Sequence, residues 1–220
     1  TDPPCPNCMK NIAEAGISAL YIDHKGFDKD WAKRRGDSFE NMSMRIAEKA
    51  GINVYVVHRK EQRFEVISKH AQGYKPREEN AAIIVENENW DSVLEQARQT
   101  HNDEPYVIAL APDNTGRRVS LLVDRNPTIG YTTETIEKKR GKYSFIIQPL
   151  NRLLMIAAKE GLALDPNYIY SSRVPTAREL VNFIGAGFHK IKIGNIEASR
   201  DEYGPMALKQ LQKANLLILC

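Results

Sequence analysis

Apolar residues recur along the chain with alternating helical and strand periods. Cys5 to Ala15 carries Ile12 and Ala15 on one helical face and stops at Gly16, a residue that closes helices. Ser18-Ala19-Leu20-Tyr21-Ile22-Asp23 reads as a short buried strand. Asp37 and Glu40 have the spacing of a capping box, and Phe39, Met42, Ile46 and Ala50 follow at helical spacing up to Gly51. Ile52-Asn53-Val54-Tyr55-Val56-Val57 is a strand. Helix, strand, helix and strand with short joints predict a right-handed crossover and a parallel strand pair.

Residues 58–89 are less regular. Arg63 to Ser68 reads as a short strand, Gly73 to Asn80 as a polar linker around Pro76, and Ala81 to Val85 as a short apolar run. Trp90, Val93, Leu94 and Ala97 then form one stripe of a helix ending at His101. Tyr106 to Ala111 and Arg118 to Val123 are strands joined by the turn Pro112-Asp113-Asn114-Thr115-Gly116, hence a hairpin. Asn126 to Gly141 reads as a polar loop. Phe145 to Glu160 reads as a helix with Leu150, Leu153, Leu154 and Ala157 inward. A strand (Tyr168 to Ser171), a helix (Ala177 to Ile184), a strand (His189 to Ile193), a helix (Pro205 to Ala214) and a strand (Leu216 to Leu219) complete the order.

The C-terminal stretch repeats the opening one. With Val174-Pro175-Thr176-Ala177-Arg178-Glu179 set under Pro3-Pro4-Cys5-Pro6-Asn7-Cys8, Gly187 falls on Gly16, Ile191 on Leu20 and Ile193 on Ile22 without a gap. Further on, Ala214-Asn215-Leu216 falls on Ala50-Gly51-Ile52. A repeat in fixed order implies two copies of one fold. The expected class is α/β, a three-layer α/β/α arrangement with a mixed sheet, in one partial and one complete copy. Residues 1–58 would be the C-terminal half of a first domain, 59–89 a linker and 90–220 the second domain. On this reading the chain begins in mid-domain.

Composition narrows the picture only a little. The 220 residues are 42% hydrophobic and 27% charged, ordinary for a globular chain, and the net charge of +3 makes no case for nucleic acid. No stretch approaches the ~18 apolar residues of a membrane helix. Three cysteines, Cys5, Cys8 and Cys220, with no signal-peptide pattern, point to a reducing cytoplasm.

Cys5 and Cys8 carry the most specific chemistry. At a helix start, this spacing points both sulfurs at one spot, where exposed amides and the helix dipole favour thiolates. Thiolates so placed are ready zinc ligands, and thiol–disulfide centres use the same spacing.

Cys5-Pro6-Asn7-Cys8-Met9-Lys10-Asn11-Ile12-Ala13-Glu14-Ala15-Gly16-Ile17 resembles the zinc-dependent cytidine and deoxycytidylate deaminase family, most of all its deoxycytidylate branch. The resemblance implies a cytidine-deaminase-like fold in tandem form. It implies Cys5 and Cys8 as two of three zinc ligands, and hydrolytic deamination of a cytosine nucleotide such as dCMP. Zinc would supply hydroxide near neutral pH, and a glutamate would move its proton. The family's third ligand, a His, and its catalytic Glu precede this motif, and neither can be assigned in the chain. In the second copy the resemblance sets Gln148 and Leu150 at the His and Glu positions, and Thr176 and Glu179 at the cysteine positions. That copy would be degenerate: a structural partner, a pseudo-dimer half or an effector pocket.

Two other functions compete with a nucleotide deaminase: a nucleic-acid deaminase of the tRNA type, and a non-catalytic, zinc-stabilised regulatory module. A small nucleotide is the expected ligand, with no membrane partner, nucleic acid disfavoured, and a homo-oligomer or intramolecular pseudo-dimer as the assembly. His24 and His58 follow strands and read as exposed loop residues. Lys33-Arg34-Arg35 reads as a solvated face, Phe27 with Trp31 as local core, and Asn7 with Lys10 as support for the helix start.

Overall fold

The computed structural model describes residues 3–27, 37–79, 81–86, 89–101, 104–112, 115–135 and 144–220. Its strands are β1 (Ala19–Asp23), β2 (Asn53–His58), β3 (Arg63–Ser68), β4 (Ile83–Glu86), β5 (Tyr106–Pro112), β6 (Arg118–Asp124), β7 (Asn126–Pro127), β8 (Ile146–Ile147), β9 (Ile169–Val174), β10 (Lys190–Ser199) and β11 (Ile218–Leu219). Its helices are α1 (Pro6–Glu14), the single turn α2 (His24–Phe27), α3 (Asp37–Lys49), α4 (Trp90–His101), α5 (Pro149–Lys159), α6 (Ala177–Gly185) and α7 (Tyr203–Lys213). The chain divides into two units, Thr1–Asn80 with Asn126–Ile147, and Ala81–Arg125 with Gln148–Cys220.

In the first unit, α1 starts at a proline, whose missing N–H is no loss in a first turn. The expected parallel pair is present: Tyr21 of β1 lies opposite Tyr55 of β2, and β3 adds an antiparallel edge. Met9 and Ala13 of α1 pack with Met42 and Ile46 of α3 on Ile22 and Val54 of the sheet. Two charged residues of α1 are also buried. Lys10 donates through Nζ to the carbonyls of Ser144 and Ile146, both at 2.9 Å. Glu14 accepts the Ile129 N–H at 3.2 Å. Lys10 therefore does more than support a helix start: with Glu14 it satisfies backbone groups that burial would otherwise leave unpaired. The stretch from Asn126, expected as a polar loop, is buried over Asn126–Ile129, because Ile129 completes this core.

The second unit is built on a six-stranded mixed sheet in the order β11-β10-β9-β5-β6-β4. β9, β10 and β11 run parallel, β5 runs against β9 and β6, and β4 runs against β6. Leu150, Leu153, Leu154 and Ala157 of α5 are buried as their spacing predicts. They pack with Leu180 and Phe183 of α6 on Val107, Ala109, Leu121 and Ile169. The alternate residues Tyr106, Ile108 and Tyr170 pack against Val93, Leu94 and Ala97 of α4 on the opposite face. Each fully buried leucine stabilises the unit by roughly 1.5–3 kcal/mol. Gly194 of β10 is required, since a Cβ there would meet the Tyr170 hydroxyl at 1.9 Å. Among the described residues no helix is long and apolar enough to cross a membrane.

The aligned segments share local geometry. α1 and α6 are both nine residues long, and their N-caps Cys5 (φ −68°, ψ 161°) and Thr176 (φ −63°, ψ 156°) match. Gly16 and Gly187 both take positive φ after the helix, as do Gly51 and Asn215 before the closing strands.

Candidate functional site

In the second unit the N-termini of α5 and α6 come together at Glu179. Thr176 caps α6: its Oγ1 accepts the Glu179 N–H, and the Glu179 side chain turns back to the cap, a complete capping box. One carboxylate oxygen, Oε2, accepts the Thr176 N–H at 2.9 Å and its hydroxyl at 2.8 Å. The other, Oε1, accepts the Leu150 N–H in the first turn of α5 at 2.9 Å. Glu179 thereby satisfies unpaired donors of two helices with one side chain. Burial pushes its pKa up, opposed by these hydrogen bonds and by the charge of Arg200.

Beside this node lies a cavity of about 200 Å³, bounded by Tyr106, Gln148 and Thr176 and by three arginines, Arg125, Arg173 and Arg200. Arg125 directly follows β6, Arg173 lies at the end of β9, and Arg200 directly follows β10. These three strands point the same way, so their carboxyl ends bring the three arginines to one rim. That is the edge where open α/β sheets collect ligands. Desolvation and the positive charge of Arg125 lower the pKa of Arg200. The Nε2 of Gln148 is buried with no hydrogen-bond partner. Of the two acids on the wall, Glu104 and Glu179, the second has its oxygens engaged with backbone and hydroxyl donors. The arrangement can hold a small anion.

The four positions assigned to a degenerate site thus occupy one place. Gln148 is the N-cap of α5, Leu150 follows in its first turn with its side chain in the core, and Thr176 and Glu179 open α6. Sequence reasoning missed the arginines. The signal was an arginine at or just past the end of three co-directional strands.

In the first unit, Cys5 Sγ and Cys8 Sγ are 3.1 Å apart, and Cys5 Sγ accepts the Cys8 N–H at 3.4 Å. Among the described residues no three of His, Cys, Asp and Glu are grouped to hold a metal ion. His24 instead stacks on His58, ring centroids 5.0 Å apart, with Nδ1 at 3.4 Å from the Val57 carbonyl oxygen. Trp31, Lys33, Arg34 and Arg35, and the side chains of Phe27 and of the Asp37–Glu40 capping box, lie outside the described residues.

No protein-family model matches the chain, and no curated protein matches its sequence. The deaminase resemblance is therefore overturned, and its consequences go with it. A zinc site needs at least a third ligand beside Cys5 and Cys8, and none of the described residues provides one. Among the described residues no zinc site is therefore present for hydrolytic deamination, whether of a nucleotide or of nucleic acid, or for a zinc-stabilised module. In the second unit Thr176 and Glu179 are turned to capping helices instead.

Proposed function

We propose that the second unit is a binding module for the phosphate group of a small molecule, with a nucleotide as the ligand class. The convergence of Arg125, Arg173 and Arg200 at the ends of three co-directional strands carries this reading. Guanidinium groups match phosphate oxygens two at a time, and a doubly charged anion would offset the mutual repulsion of Arg125 and Arg200. The volume suits a phosphate head group, leaving the remainder of the ligand outside. We also read α1 to β2 and α6 to β11 as two copies of one helix–strand–helix–strand unit, since their caps, lengths and left-handed residues correspond. A cytoplasmic setting belongs to the same reading, as three sparse cysteines fit a reducing compartment.

Calorimetric titration of the full chain in reducing buffer tests it. A nucleoside monophosphate should bind, inorganic phosphate should compete, and the nucleoside without phosphate should not bind. Arg200→Gln and Arg125→Gln should each weaken binding about tenfold or more, as charge-assisted hydrogen bonds contribute ~1.5–3 kcal/mol. Equal binding of nucleoside and nucleotide, or unchanged affinity in both variants, would falsify the assignment.

A further inference from the structure

The phosphate module leaves the Cys5–Cys8 pair of the first unit without a role. The two sulfurs already lie 3.1 Å apart across the first turn of α1, so a bond between them requires an approach of only about 1 Å. Helical geometry places residues three apart at a Cα separation of ~5 Å, within the range that a disulfide spans. Cys8 is exposed and Cys5 half-buried, so a reagent meets Cys8 first. The backbone is set for this pairing. Cys5 is an extended N-cap, Pro6 fixes the turn behind it, and Lys10 and Glu14 anchor the helix further along. Closing the bond therefore asks for side-chain movement without rebuilding the helix.

We propose that Cys5 and Cys8 form a reversible dithiol–disulfide centre that exchanges with small-molecule disulfides. With a disulfide of the glutathione type, the Cys8 sulfur gives up its proton and attacks one sulfur of the reagent. The reagent's S–S bond breaks, and the first glutathione leaves and takes up a proton. Cys5 sulfur then displaces the second glutathione from Cys8 in the same way. One S–S bond forms and one breaks. The protein loses two electrons and two protons, and the reagent gains them as two thiols. The second step is fast because Cys5 is held in place, a pre-organisation that raises its effective concentration.

The test uses the full chain carrying Cys220→Ser, which removes the third thiol, incubated with oxidised glutathione, acid-quenched and read by mass spectrometry. The expected product has lost two hydrogens, with Cys5 and Cys8 joined in one peptide, and reduced glutathione restores both thiols. Adding Cys5→Ser should stop the reaction at one glutathione on Cys8, its release slowed on the order of 100-fold or more. Circular dichroism checks that this variant remains folded. If it does not, rates of blocking by an alkylating reagent in the parent chain decide. The proposal predicts that oxidised glutathione protects both thiols together. It is overturned if both thiols stay open to alkylation after oxidation, or if glutathione remains on Cys8 while Cys5 is intact.

Discussion

Glu179→Ala is expected to destabilise the second unit by about 3 kcal/mol or more, because each buried donor left without its acceptor costs ~1–3 kcal/mol. The carboxylate is 3% exposed and accepts three hydrogen bonds, from the Leu150 N–H, the Thr176 N–H and the Thr176 hydroxyl. Alanine would leave donors of two helices unpaired in the interior and a void where the side chain stood. Glutamine is no remedy. One of its terminal atoms is an NH2 group, and either orientation sets a donor against a donor, at Leu150 or at Thr176. Urea unfolding of the full chain, followed by hydrogen exchange of the α5 and α6 amides, reads the loss where it occurs. Unchanged protection at Leu150 and Thr176 in both variants would remove Glu179 from its place as the link between the helices.

The same residue gives a pH dependence of definite sign. Its folded-state pKa is raised above the ordinary 4.5, chiefly by burial. The folded form therefore holds the proton more tightly than the unfolded chain does. The stability from this linkage is fully present below pH 4.5 and is lost as pH rises through the folded value. The stability difference between wild type and Glu179→Gln should then widen in favour of wild type as pH falls through that window. A difference that narrows on acidification would mean that hydrogen bonding outweighs burial at this carboxylate.

Periodicity made the helices and strands readable because burial in an α/β layer imposes it directly. The stripe Leu150, Leu153, Leu154 and Ala157 is one face of α5, and the run Tyr106 to Ala111 is β5. Helix ends were legible for the same reason: Gly16 and Gly187 both stand just past a helix and take positive φ. Chemistry was less legible, because a pair of residues does not state its partners. Cys5-x-x-Cys8 reads alike as a metal site, a redox pair or a helix cap, and spacing cannot choose. Glu179 looked like a lost ligand, yet it is a cap that also reaches a neighbouring helix 29 positions earlier in the chain. Lys10 was hidden more deeply. Its sequence position reads only as support for the helix start, and the fold alone brings the Ser144 and Ile146 carbonyls to it. Arg125, Arg173 and Arg200 are 27 or more positions apart from one another, so only the sheet order unites them.

Asp124→Ala should cost about 1.5–3 kcal/mol, the range for a hydrogen bond to a charged group, and should also weaken phosphate binding. Arg152 of α5 is 1% exposed, and its guanidinium lies 2.7 Å from the Asp124 carboxylate and 3.4 Å from the Asp124 carbonyl oxygen. A part-buried ion pair adds little over an apolar pair, but deleting Asp124 takes a carboxylate away from a guanidinium that is itself 1% exposed. Asp124 closes β6 and is bonded through the chain to Arg125, so this pair also fixes where the first cavity arginine starts. Loosening it lets Arg125 leave the rim without changing its charge. The double variant Asp124→Leu with Arg152→Leu separates the two effects. It should recover much of the stability, since both charges of the pair are replaced by apolar groups. If the pair positions Arg125, phosphate affinity should stay below wild type even so. Full recovery of both would reduce the pair to a contribution to stability alone, whereas a destabilisation under about 1 kcal/mol for Asp124→Ala would place Arg152 in contact with solvent.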